Sequence, residues 1–319
     1  MKKLLSLLVM FSLLLSGAAL AEEGEVIELR FQRIGNDAAE TEFWKSVIAD
    51  YEAANPGVKI LYDDAAIGDA MDAKLNTLFA ANYGPDIIGH GILSVAQRAD
   101  LGHYIPIDEY FATWEDGDDM MESVLANGTY KGQLYGLGYS ATPYVFAYRI
   151  DLLEEAGLEV PTTWEELKEA ALALTVRDEN GVVTRAGFAF PMSGGNMVEY
   201  DVFVFGNGGR FTDEDMNPTI DTEEGLEAFE FLNSFLAEVN IPYSNNDINP
   251  FLTGNAAMTL INNVSLRPIL ENEEYIGKVG IAFPPTNGTH LTFSGCNMLS
   301  ISCDSEHPDE AFEFIKFAL

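Results

Sequence analysis

The chain has 319 residues, 47% of them hydrophobic, and carries 51 acidic against 17 basic side chains for a net charge of −34. A field of that sign repels nucleic-acid phosphates and anionic membrane surfaces, which excludes both as partners. The length exceeds what one ordinary core organises and predicts two domains. The acidic residues are spread without long like-charge blocks, the pattern of a solvated surface, with a site for a cationic solute such as a polyamine as the alternative.

Lys2 and Lys3 precede an uncharged apolar run from Leu4 to Leu15, and Ala19-Leu20-Ala21 offers a small-x-small cleavage site. This is the pattern of a secretory signal peptide over residues 1–21, and the apolar run is well short of the ~20 residues that span a bilayer. No cysteine stands near the cleavage site to take a lipid. A periplasmic or secreted protein is expected.

Val26 to Ile34 reads as a strand, followed by a polar loop and an amphipathic helix through Phe43, Trp44, Val47, Ile48 and Tyr51 that Asn55-Pro56-Gly57 ends. Val58 to Tyr62 reads as a second strand, Met71 to Ala81 as a second helix, and Gly84 to Ile88 as a short third strand. Such alternation predicts a parallel sheet with crossover helices, whose ligands collect at the carboxyl ends of the strands. Those ends are Asn36-Asp37 and Gly89-His90-Gly91.

The stretch from Lys131 to Ala171 holds the densest set of local signals. Gly alternates with large apolar residues and the chain then runs apolar through Tyr148, a hairpin arm feeding a buried strand. Arg149 to Ala156 suits a helix, Gly157 a left-handed cap, Pro161 blocks continuation, and Thr163 with Glu166 makes a capping box. Further on, Thr184 to Pro191 reads as a strand, Met192 to Asn196 as a Gly-rich loop and Val198 to Phe205 as an apolar helix before Gly206-Asn207-Gly208-Gly209. These glycines follow a helix and carry no Lys-Ser/Thr, so they make no phosphate loop.

Asp213 to Glu224 carries oxygen ligands at most positions of a calcium loop, but Pro218 stands where the sharp turn requires Gly. The competing reading is a solvated loop whose Asp221 or Thr222 caps a helix from Glu223 to Ala237. Phe251 to Met258 leads into a strand and the loop Ile261-Asn262-Asn263-Val264. Lys278 to Phe283 and Leu291 to Ser302 read as strands, and Pro308 to Leu319 as a helix. Cys296 and Cys303 lie in an extended-looking stretch that would separate their Cα atoms by ~23 Å, far beyond the ~7 Å that a bridge allows. The four histidines are dispersed without metal-ligand spacing and no G-x-S-x-G occurs, so neither a metal, a cofactor nor an enzymatic site is indicated.

Four of these stretches together resemble the extracellular solute-binding proteins of ABC transporters, in the sugar-binding, maltose-type group. They are the segment from Lys131 to Ala171, FWKSVIADYEAANPGVKI from Phe43, GPDII from Gly84, and FLTGNAAM from Phe251, which matches the family's F-x-x-G-x-x-A-M. The resemblance implies an α/β, type-II periplasmic-binding-protein fold of two α/β lobes joined by crossing hinge strands. Residues 22–141 would begin the first lobe, 142–284 form the second and 285–319 return to the first. The C-terminal part would be missing, since the last helix ends on Phe317-Ala318-Leu319 without a stop signal.

The function so implied is that of a monomeric substrate-binding component. It would capture a small carbohydrate in the inter-lobe cleft and deliver it to a membrane permease without chemistry. The ligand-binding candidates are Asn36, Asp37, His90, Thr142, Tyr144, Asn196, Tyr200, Asn262, Asn263 and Asn297. His90 falls where many sugar binders stack an aromatic, and no aromatic stands near Val264, which points to a small or polar ligand rather than a long maltodextrin. His90 as a loop residue bonded to backbone, and Asn262 and Asn263 as turn formers, are the structural alternatives. A polyamine-binding protein and a secreted glycosidase are the rival functions.

Overall fold

The computed structural model describes residues 26–35, 38–65, 69–193, 198–213, 217–219, 221–244 and 247–319. Its elements run β1 (Ile27–Ile34), α1 (Ala38–Ala54), β2 (Val58–Ala65), α2 (Asp69–Ala80), β3 (Ile87–Gly91), α3 (Leu93–Asp100), α4 (Asp108–Phe111), α5 (Glu122–Gly128), β4 (Thr129–Tyr130), β5 (Gln133–Leu134) and β6 (Leu137–Arg149). There follow α6 (Ile150–Ala156), α7 (Trp164–Leu174), β7 (Val176–Arg177), β8 (Val183–Ala189), α8 (Val198–Gly206), α9 (Glu223–Asn233), α10 (Leu236–Val239), β9 (Ala256–Asn262), α11 (Asn263–Leu270), β10 (Val279–Ala282), β11 (Ser294–Ile301) and α12 (Pro308–Ala318). The chain divides into two compact units, one comprising the residues up to Ser140 with Cys296–Leu319, the other Ala141–Gly295. No helix among the described residues is long and apolar enough to cross a membrane.

In the first unit β1 lies between β2 and β3, parallel to both, and β11 closes antiparallel on β3. The parallel pairs need the crossovers that α1 and α2 supply. On α1 the buried residues Trp44, Ile48 and Tyr51 recur at helical spacing, and they meet Leu29 and Phe31 of β1 and Phe312, Phe314 and Ile315 of α12 in one core. Each such fully buried side chain contributes about 1.5–3 kcal/mol. Phe43, expected on the same face, is 56% exposed: the buried stripe of this helix is centred on Trp44, Ile48 and Tyr51, and Phe43, about 100° round the helix from Trp44, falls outside it.

Arg33 is fully buried near the end of β1. Its guanidinium meets Glu40 of α1 at 2.7 Å and Asp64 of β2 at 3.0 Å, and its Nε donates to the Tyr62 hydroxyl at 2.9 Å. Gly89 on β3 makes room for it: a Cβ there would stand 2.7 Å from Arg33 Cγ.

In the second unit β9 lies between β6, antiparallel, and β8, parallel. β7 and β10 add antiparallel edges to β8 and β6. α6 ends at Gly157 in the left-handed region, φ 67° and ψ 32°. α7 starts at the expected capping box, where Thr163 Oγ1 accepts from the Glu166 amide at 3.3 Å and Glu166 Oε2 accepts from the Thr163 amide at 3.2 Å. Such a cap contributes about 1 kcal/mol. Trp164, Leu167, Ala170, Ala171 and Leu174 form its buried face and join Phe188, Phe203, Phe235 and Leu260 in the core. Gly187 of β8 lets that helix settle closely, since a Cβ there would run into the Ala171 carbonyl.

Two elements differ from the expected ones. The third strand runs on through Gly89, His90 and Gly91, because β11 pairs with it opposite Met298 and Asn297. The helix expected from Glu223 to Ala237 stops at Asn233 and resumes at Leu236, a break that carries Phe235, 1% exposed, into the core beside Phe231 at 5.1 Å. Thr222 rather than Asp221 caps α9, accepting from the Gly225 amide. Residues 214–216 and 220 of the suggested calcium loop lie outside the described residues. Cys296 is buried and Cys303 exposed, and both are free.

Candidate functional site

The second unit holds a polar cavity of about 420 Å³ whose wall includes Tyr144, Glu199, Tyr243, Asn249, Asn262 and Ser265. The antiparallel register of β6 and β9 sets Tyr144 opposite Asn262. Asn262 is also the N-cap of α11, its Oδ1 accepting from the Ser265 amide at 2.8 Å, so its amide NH2 is left to face the cavity side and the Tyr144 hydroxyl. Burial pushes the Tyr144 phenol up to about 12, with the charge of Glu199 adding to the shift and the Asn262 side chain opposing it. Burial raises Tyr243 as well, Glu199 again contributing and Thr259 opposing. Both tyrosines are therefore neutral hydroxyls at ordinary pH, able to donate and to accept.

Glu199 stands in the first turn of α8. Its Oε2 is buried and has no hydrogen-bond partner among the described residues. Burial holds its carboxyl up at about 6, its own backbone N–H opposing and the charge of Asp201 assisting; burial likewise holds Asp201 up at about 6. The folded protein thus binds this proton more tightly than the unfolded chain, whose carboxyl titrates near 4.5, and the contribution to stability is lost as pH rises from 4.5 through 6. Glu199→Gln should flatten that part of the stability profile and raise the thermal midpoint above pH 6, while Asp201 keeps its share of the slope. Superimposable melting curves for wild type and variant across this range would contradict the assignment.

The sequence candidates fall in several places. Tyr144 and Asn262 come together in the cavity; Asn263, the first residue of α11, is exposed. Thr142 lies on β6 with its hydroxyl against Gly295, where any Cβ would meet it. Tyr200 turns elsewhere, donating to the Gly225 carbonyl at 2.7 Å and lining an apolar pocket with Phe190, Met192 and Phe229. In the first unit His90 is 8% exposed. Its Nδ1 accepts from the Gly91 amide at 2.8 Å and its Nε2 lies 3.6 Å from Asp72 Oδ1. Burial lowers its pKa, opposed by Asp72. Asn297 sits on the adjacent strand opposite Gly91. Asn36, Asp37 and Asn196 lie outside the described residues. Glu199, Tyr243, Asn249 and Ser265 were not among the candidates, and in a chain with 51 acidic residues one more glutamate carries no signal.

Two α/β units, each built on a mixed sheet with crossover helices, define a periplasmic-binding-protein fold. The chain belongs to the bacterial extracellular solute-binding proteins, whose family profile matches residues 37–319; the resemblance drawn from the Lys131–Ala171 segment and the F-x-x-G-x-x-A-M motif is to this family. A binding protein of Brucella abortus is 25% identical over 317 residues, 95% of this chain and 74% of that protein. The mannitol-binding protein of Pseudomonas aeruginosa is 28% identical over 179 residues, 54% of this chain and 40% of that one. The sugar-binding protein MalE of Xanthomonas citri superposes with a TM-score of 0.78 at 25% identity, over 91% of this chain and 74% of that one.

Proposed function

We propose that this protein is the solute-capturing component of an ABC importer, binding a small carbohydrate or polyol outside the cytoplasmic membrane and delivering it to a permease. The observation that carries the reading is the polar cavity of the second unit, where Tyr144, Tyr243, Asn249 and Asn262 present neutral polar groups around a partly open space in a chain of the solute-binding family. Relatives named for mannitol and for sugar support the ligand class. Hydroxyl groups of a polyol can satisfy such a set, and an extended apolar ligand cannot. No covalent step is needed: the protein binds and releases.

A thermal-shift screen over mono-, di- and oligosaccharides, polyols, amino acids and polyamines tests it. A matching sugar or polyol at a hundredfold its Kd should stabilise the protein by about 2.7 kcal/mol and raise the midpoint by several degrees. Tyr144→Phe, which removes one hydroxyl and keeps the ring, should weaken that ligand about three- to tenfold by titration calorimetry. A shift with spermidine alone would overturn the carbohydrate reading.

A further inference from the structure

The wall of the second unit's cavity contains carboxylates but no Lys, Arg or His among its described lining residues. Glu199 Oε2 is out of contact with solvent and receives no hydrogen bond from a described residue. Asp247 lines the same cavity and Asp201 lies close enough on α8 to raise the Glu199 carboxyl, so the charges around it are of its own sign. Tyr144 and Tyr243 approach it from β6 and from the segment before β9, and each has a polar neighbour of its own in Asn262 and Thr259. A buried ionised carboxylate left in that state costs several kcal/mol, and it is relieved by a proton or by a cation.

A neutral sugar seated here could offer Glu199 a hydroxyl donor but would bring no charge to offset the carboxylates around it. An ammonium group would bring both the charge and up to three donors. The remaining polar wall, Asn249, Asn262 and the tyrosine hydroxyls, matches hydroxyl groups rather than the methylene chain of a polyamine. We infer that the ligand captured in this cavity carries a primary ammonium group on a hydroxylated frame, an amino sugar or amino polyol, and that Glu199 is the residue that selects it. The inference rests on the reading of the protein as a carbohydrate-capturing component and narrows its ligand class.

The test is titration calorimetry of the whole chain with D-glucosamine, D-galactosamine and D-mannosamine, each beside its N-acetyl derivative and its parent hexose, and with spermidine. One of the amines should bind about thirtyfold or more tighter than both of its neutral counterparts, the ratio expected of a desolvated charge pair. In Glu199→Gln the ratio should fall to near one, with the fold of the variant checked by circular dichroism. A measurement free of any variant accompanies it: at pH 6 the wild type should release protons on binding the amine, seen as heats that differ between buffers of different ionisation enthalpy. Equal or tighter binding of a parent hexose or an N-acetyl sugar overturns the inference and leaves the carbohydrate reading standing. Binding of spermidine with none of the sugars overturns both, and failure of every amine to bind overturns the inference.

Discussion

Replacing Gly187 by alanine should destabilise the second unit by about 3 kcal/mol, at the upper end of what overpacking a core costs. The added methyl group would run into the carbonyl of Ala171 and crowd Thr175 Oγ1, 2.6 Å away. Neither neighbour can yield cheaply. The Ala171 carbonyl is backbone and already accepts from the Thr175 hydroxyl at 2.7 Å, and the helix that bears it buries five side chains, Trp164 and Leu167 among them, in the core. The strand must therefore move away from α7, opening voids around Phe188, which is fully buried. Gly57→Ala is the matched control, since a Cβ at Gly57 meets nothing within 4 Å, and it should shift stability by no more than about 0.5 kcal/mol. Urea unfolding followed by far-UV circular dichroism compares them; equal midpoints for the two variants would refute the account.

Arg33→Met should cost the first unit about 3 kcal/mol, because it removes a buried cation and leaves its partly buried acidic partners without a counter-charge. The guanidinium is fully buried and holds Glu40, Asp64, Tyr62 and the Ile34 carbonyl at once. Methionine fills much of the volume, so the loss measures charge and hydrogen bonding more than cavity. Because the guanidinium is buried and its carboxylate partners are only partly exposed, most of the loss should persist in 1 M salt, where an exposed ion pair such as Lys45–Glu42 contributes nothing measurable. Lysine at position 33 should recover only part of it, one ammonium being unable to reproduce the planar fork that meets Glu40 and Asp64 together. A Met variant as stable as wild type by urea titration would show that the cluster gives the fold no net stability.

The local signals of the chain translate directly into local structure. The capping box of Thr163 and Glu166, the left-handed Gly157 and the strand through Tyr148 depend on neighbours a few residues away, and each sits where its residues place it. What depends on distant pairing was harder to read. His90 looks like the start of a loop because Gly flanks it on both sides, yet β11, some 200 residues later, recruits it into a strand. The break at Ser234 shows no Gly or Pro; it follows from where Phe235 must point to reach the core. The cavity is legible in half. Tyr144 and Asn262 stand out as an aromatic within a strand and an amide at a strand end, whereas Glu199 and Tyr243 gain their character only from burial.

The unequal pair of cysteines has a practical consequence. Cys296 is 5% exposed on β11, while Cys303 is exposed beside Asp304, whose charge adds to burial in holding the thiol above its ordinary range. A thiol-directed dye or surface linker applied under mildly alkaline, native conditions will therefore find one attachment point without any engineering of the chain. That point lies in the first unit, between β11 and α12, and is not one of the residues that wall the second unit's cavity. The polypeptide can be tethered through this single thiol of the first unit with no residue of the second unit's cavity modified, which makes it ready material for a surface-bound binding assay.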